Sequence, residues 1–187
     1  MKHILDTALG VIDTMLRYSP DDPALLRLKM AALVNFADDY GRIGETAQQL
    51  DMANQARAIA KSLADAVPTD NERQRDLSVS YNKVGDVLVA QGNLPEALKS
   101  YRDSLAIRDR LARADPGNAE WQRDLSISLG RVAETLLKLD RKAEARPLAE
   151  RALAQLRSAI ARMPDDPRLT RDLPYYQDLL RRAGGTP

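Results

Sequence analysis

The chain has 187 residues, 44% of them hydrophobic and 29% charged, with a formal net charge of +1, one histidine and no cysteine. This balance describes a folded chain rather than a disordered one. It excludes a disulfide framework, a thiolate metal site and an electrostatic footprint for nucleic acid or an anionic membrane.

In chain order, the first predicted element is a helix over 3–18, where Ile4, Leu5, Leu9, Val11, Ile12, Met15 and Leu16 are apolar on more than one face. The same stretch is interrupted by Asp6 and Asp13 and lacks a small-residue cleavage pattern, so it does not read as a signal peptide. With no apolar run long enough to span a membrane, the expectation is a cytoplasmic protein. His3 alone offers almost no material for a histidine-built metal site or catalytic triad, and no cofactor or metal is expected.

Beyond Pro20 the chain repeats itself. Pro20, Pro68, Pro116 and Pro164 are evenly spaced, at an interval of about 48 residues that marks an internal repeat. Two positions after each proline comes Asp22, Asp70, Asn118 or Asp166. Asp22–Pro23 opens a predicted helix over 23–42, with a carboxylate to cap the first turn and a proline where the missing N–H costs nothing. A second helix follows over 46–66.

In the next copy Asp70 caps a helix over 71–90 whose apolar face is Leu77, Tyr81, Val84 and Leu88. Gly92 stops it, and Asn93 with Glu96 reads as a capping box for a helix over 94–114, which carries Leu94, Ala97, Leu98, Tyr101, Leu105 and Leu111. The third copy gives helices over 119–138 and 142–162, and a last helix runs over 167–182. Pro147 is expected to bend its helix near the start, and Pro174 to kink or restart the last one.

The division is therefore a lone helix in 1–20, hairpins in 21–68, 69–116 and 117–164, and a lone helix with a tail in 165–187, all within one domain. A hairpin of this size cannot bury its own apolar stripe, so neighbouring hairpins must stack.

Within the central copy the spacing of Tyr81, Val84, Gly85, Leu88, Ala97, Tyr101 and Ser104 resembles the tetratricopeptide repeat. The third copy carries Leu129, Val132, Ala133, Leu136, Ala145, Ala149 and Ala152. The first carries Leu33, Phe36, Ala37, Tyr40, Gln49, Ala53 and Ala56. Small residues at Ala37, Gly85 and Ala133 would let the two helices of a hairpin cross closely. The usual unit has about 34 residues, so this one is longer by close to four helical turns. In this it is like the lengthened repeats of kinesin light chains and of bacterial multidomain proteins. The resemblance implies an all-α, right-handed α-solenoid of stacked antiparallel hairpins, and a non-catalytic scaffold that binds a protein or peptide along its first helices.

Groove positions implied by the resemblance are Val79, Asn82, Asp86, Val89 and Ala90 in the central copy. Their counterparts are Ala31, Val34, Asp38, Gly41 and Arg42, and Ile127, Gly130, Glu134, Leu137 and Lys138. A clamp for acidic C-terminal peptides would need Lys and Asn on successive repeats; only Asn82 matches, which argues against chaperone-tail binding.

Two ladders cross these helices: Arg27, Arg75, Arg123 and Arg171, and Asp38, Asp86 and Glu134. Within a helix the two are about 16 Å apart on one face, too far to pair. One reading is a groove with a basic and an acidic end that orients a peptide of mixed charge, with Arg27, Asp38, Arg75, Asn82, Asp86, Arg123 and Glu134 as contacts. The other is a structural ladder in which Asp76, Asp124 and Asp172 pair with the Arg of the next helix, worth little per exposed pair. Trp121, at the head of a helix, reads either as a stacking platform or as a wedge in the helix junction.

The paired carboxylates Asp21–Asp22, Asp38–Asp39 and Asp165–Asp166 read as caps and helix-face residues, not catalytic pairs. Val34 and Gly130 in the groove, with the low net charge, argue against reading of single-stranded RNA. The ends suggest a rival role. The first helix and the last, with Leu173, Tyr175, Tyr176, Leu179 and Leu180, are apolar where a capping helix should be polar. Either the segment belongs to a longer protein, or the terminal helices mediate a weak homo-oligomer.

Overall fold

The computed structural model describes residues 2–186, and for residues 2–6 the backbone alone, so the side-chain expectations for His3, Ile4 and Leu5 lie outside the described residues. Among the described residues the chain is all α: α1 Lys2–Tyr18, α2 Pro23–Arg42, α3 Thr46–Ala66, α4 Asn71–Ala90, α5 Leu94–Ala114, α6 Ala119–Lys138, α7 Lys142–Arg162 and α8 Pro167–Arg182. Corresponding helices keep the interval of the repeating prolines. α8 starts in step but has 16 residues against the 20 of α6, one turn fewer. It runs unbroken through Pro174, and α7 through Pro147, so the expected restart does not occur.

The starts of the first-type helices α2, α4, α6 and α8 follow the sequence. Asp22 accepts from the backbone N–H of Ala24 and Leu25, Asp70 from Glu72 and Arg73, Asn118 from Trp121, and Asp166 from Arg168. The capping box expected at Asn93 is absent: Asn93 makes no side-chain cap bond, and neither do Glu45 and Arg141 at the equivalent positions.

The reason is the turn. These residues have ψ of 69°, 70° and 56°, short of the 100–113° that aims a capping side chain in the other starts. The chain leaves α2 through Gly44 at φ +78° and α6 through Asp140 at φ 58°. The N–H of Glu45 then bonds Tyr40 O at 3.0 Å and that of Arg141 bonds Leu136 O at 2.9 Å, closing the helix ends.

The helices form two compact units, Met1–Gln91 and Gly92–Pro187. In the first, α2 buries Leu33, Phe36 and Ala37, α3 buries Ala53, Ala56, Ala60, Leu63 and Ala64, and α4 buries Leu77, Val84, Gly85, Val87 and Leu88. In the second, Leu129, Ala133 and Leu136 of α6 and Ala145, Ala149 and Ala152 of α7 are wholly buried. The alanine-rich faces of α3 and α7 let them pack tightly on α2 and α6. Gln74 of α4 donates to Ala64 O of α3 at 3.3 Å, and Gln122 of α6 to Ala112 O of α5 at 2.9 Å.

The C-terminal end corrects one expectation. Tyr176, Leu179 and Leu180 are buried, not presented to a following helix. Gly184, at φ +83°, ends α8, and Gly185 turns back so that its N–H bonds Leu180 O at 2.9 Å. The tail then lies on the Leu180 side chain, which a β-carbon at Gly185 would strike.

Candidate functional site

Within each unit, successive first-type helices are joined by two polar rungs that leave the earlier helix about three turns apart and meet the later helix closer together. In the first unit Arg27 of α2 pairs with Asp76 of α4 at 2.9 Å, and Asp38 of α2 with Lys83 of α4 at 2.6 Å. In the second, Arg123 of α6 pairs with Asp172 of α8 at 2.8 Å, and the Tyr175 hydroxyl of α8 donates to Glu134 of α6 at 2.7 Å. Lys138 lies 3.8 Å from the other oxygen of Glu134.

The pairing runs opposite to the expected order: Asp76 and Asp172 each meet the Arg of the preceding first-type helix, while Asp124 lies 4.0 Å from Arg108 of α5. Asp76 follows Arg75 by one residue, about 100° around the helix, which turns it toward α2. Arg75 and Asp86 occupy the equivalent ladder positions on α4, as does Asn82 for the groove. The Asn82 side chain is buried, and its Oδ1 has no hydrogen-bond partner.

The sequence-derived groove is only partly open. Val79 is exposed, and Ala31 likewise. Gly130 is covered, because the Tyr176 ring lies on it, and a β-carbon at Gly41 would meet the Gln49 amide of α3. Trp121 is half-buried in the first turn of α6.

What remains open in the second unit is a hollow of about 370 Å³ between α6 and α8, lined by Ile127, Arg131, Glu134, Arg171, Asp172, Tyr175 and Tyr176. Arg171, the last rung of the arginine ladder, is 75% exposed, its nearest acid Asp172 at 3.9 Å. Tyr175 and Tyr176 meet edge to face, their centroids 5.0 Å apart. Arg131 lies over the Tyr101 ring at 5.6 Å. Burial, with the bond to Glu134, pushes the Tyr175 hydroxyl far above its ordinary pKa, so it remains a donor at neutral pH. Burial likewise raises Tyr176.

The hollow thus sets two guanidinium groups, two carboxylates, an aromatic pair and an aliphatic side chain around one concavity. Of the residues expected from the sequence, Glu134 lies in this wall and Arg123 reaches it only through its pair with Asp172; Tyr175 and Tyr176 as wall residues, and Lys83 as the partner of Asp38, were not expected. The available signal was register: Tyr175 stands one full repeat after the groove position Ile127.

Among the described residues no group of three or more His, Cys, Asp or Glu side chains could hold a metal ion, and no helix is long and apolar enough to cross a membrane.

Residues 77–113 match the tetratricopeptide repeat family. Among solved structures, the chain is similar to the yeast histone chaperone Hif1, a scaffold protein recruiting protein complexes to core histones. The TM-score is 0.60 and the identity 13%, over 98% of this chain and 96% of that one. It also matches YrrB, a tetratricopeptide protein with an unusual peptide-binding site, with a TM-score of 0.42 and 14% identity over 92% of this chain and 90% of that one. A thermophilic tetratricopeptide protein of Thermus thermophilus aligns with a TM-score of 0.32 and 21% identity, over 95% and 91% of the two chains. No curated protein sequence matches.

Proposed function

Since residues 77–113 belong to the tetratricopeptide repeat family, we propose that the chain is a non-catalytic interaction scaffold holding a peptide or protein segment against its first-type helices. The observation that carries this reading is the open hollow on α6 and α8, where Arg171 and Glu134 supply opposite charges beside the Tyr175–Tyr176 pair. An extended segment with an acidic side chain near Arg171, a basic one near Glu134 and an apolar one on Tyr175 fits that set. Arg123 is proposed as a further contact on α6, and Arg27, Asp38, Arg75, Asn82 and Asp86 are proposed as contacts on the first-type helices of the first unit.

The test is selection of displayed mixed-charge peptides on the full chain, repeated with Tyr175→Ala plus Arg171→Ala. Recovered peptides should lose binding to the variant while its helicity and melting stay close to wild type. Peptides indifferent to both substitutions, or no enrichment at all, would overturn the reading.

A second reading, self-association through the terminal helices, is favoured at one end only. α8 buries Tyr176, Leu179 and Leu180, whereas α1 leaves Val11 and Met15 exposed.

A further inference from the structure

The common register of the helices isolates one uncovered face. α1 ends at Tyr18, in step with the ends of α3, α5 and α7, so its residues have three counterparts each. Met15 corresponds to Leu63, Leu111 and Ala159, and Ala8 to Ala56, Ser104 and Ala152. All six counterparts are buried, but Met15 is 47% exposed and Ala8 is exposed too. Val11 is 56% exposed where Ile59, Ile107 and Gln155 are half-buried. α1 is held on α2 by the neighbouring flank, about 100° round the helix: Ile12 is buried, Leu9 and Leu16 are half-buried, and Asp13 pairs with Lys29 at 2.6 Å.

α2 changes in the same place. Asp76 and Asp172 receive an arginine from the preceding first-type helix, but the equivalent residue on α2 is Leu28, 53% exposed. Asn35 stands where Lys83 meets Asp38. The position that carries Asp76 and Asp172 has thus lost its charge on α2, and α2 also lacks the lysine that α4 uses for its second rung.

The uncovered residues Ala8, Val11, Met15 and Tyr18 are spaced three, four and three apart, which is the seam of a two-helix coil. Their flanking neighbours, Thr7 and Thr14, carry no charge, so a second identical helix meets no like-charge repulsion. The other end of the chain does not offer a matching face. α8 places Gln177 and Arg181 where α6 buries Leu129 and Ala133, so its outer face is polar.

We propose that α1 pairs antiparallel with α1 of a second copy of this chain, seam to seam across a two-fold axis, with Leu28 at the edge of the contact. Antiparallel pairing sets Val11 against Val11 of the second copy and the small Ala8 against the large Met15, so the seam fills evenly. The inference rests on the self-association reading and is independent of the hollow on α6 and α8.

The test is sedimentation of the full chain over a wide concentration range, beside Val11→Glu plus Met15→Glu and the control Arg181→Glu. Wild type and Arg181→Glu should both pass from monomer to dimer, and the double variant should need roughly tenfold or more higher concentration. Because the chain has no cysteine, Val11→Cys should form a disulfide-linked dimer on mild oxidation, and Arg181→Cys should not. Monomer at every concentration would overturn both self-association and this pairing. A dimer that survives the double variant, or that never cross-links through Val11→Cys, would overturn the α1 pairing while leaving self-association standing.

Discussion

The ring of Tyr176 on α8 lies on Gly130 of α6 so closely that a β-carbon at Gly130 would stand 2.8 Å from Tyr176 Cε1. Tyr176 is buried and braced edge to face by Tyr175, so the ring cannot swing away freely. Two effects compete in Gly130→Ala. Alanine in a helix gains up to about 1 kcal/mol over glycine, and overpacking a core contact costs about 1–3 kcal/mol. The contact should win, leaving Gly130→Ala less stable than wild type by about 1 kcal/mol in urea unfolding. In a Tyr176→Ala background the same change should become stabilising. The same sign in both backgrounds would show that the ring does not set the size of residue 130.

The two arginine rungs differ in exposure, and their strengths should differ accordingly. The side chains of Arg123 and Asp172 are 22% and 23% exposed, whereas Arg27 is 52% exposed. Double-mutant cycles to alanine should give a coupling near ~1 kcal/mol for Arg123–Asp172 and about 0.2–0.5 kcal/mol for Arg27–Asp76. Added salt should shrink the second more than the first. Equal couplings would mean that burial plays no part in the ladder.

Asp166 ties the start of α8 to acid conditions. The side-chain bonds from Arg168, then its backbone N–H, pull the Asp166 carboxyl from an ordinary 3.8 down to about 2. A folded pKa below the unfolded one stabilises the fold above the unfolded value, and that contribution is lost as pH falls through the folded value. Asp166→Asn retains an oxygen for the cap but no charge. Its melting deficit against wild type should therefore be constant above about pH 4 and close as pH falls from 3.8 toward about 2. A deficit that stays flat across this window would show that Arg168 does not hold the carboxylate.

The helix bounds were legible because three independent signals repeat together: the evenly spaced prolines, the Asp or Asn two positions later, and the apolar steps between them. The signals weaken where no following copy repeats them. The bounds of α8 were read correctly, but the turn after it, of the same kind as those after α2 and α6, comes one helical turn early and lays Gly185 on Leu180, which no preceding copy announces, so the sequence alone left that face open. The wall of the hollow was hidden for a similar reason, since Tyr175 and Tyr176 stand where the preceding copy has Ile127 and Ser128. The missing capping box has a different cause. Residue type at Asn93 suits a cap, but the backbone angle there is set by the tight turn before it.

A last relationship in the repeat explains two buried glutamines and predicts their cost. In a continuing helix the carbonyl of Ala112 would accept from the residue four positions on, which is Pro116 and has no N–H; Ala64 stands in the same relation to Pro68. Gln122 and Gln74 supply the missing donors from the next helix, at 2.9 Å and 3.3 Å. Both glutamines stand six positions after their proline. The other two copies carry Leu26 and Thr170 there, and neither side chain presents an amide. Removing the donor leaves a helix-end carbonyl deprived of a partner at a buried site, so Gln122→Ala should cost about 1–3 kcal/mol in urea unfolding. Gln74→Ala should cost less, because its bond is longer. Gln122→Glu should be worse than Gln122→Ala at neutral pH, since a carboxylate would face the carbonyl with no hydrogen to donate. If Gln122→Ala were neutral, or Gln122→Glu were tolerated as well as wild type, the glutamine would not be replacing the donor that the proline lacks.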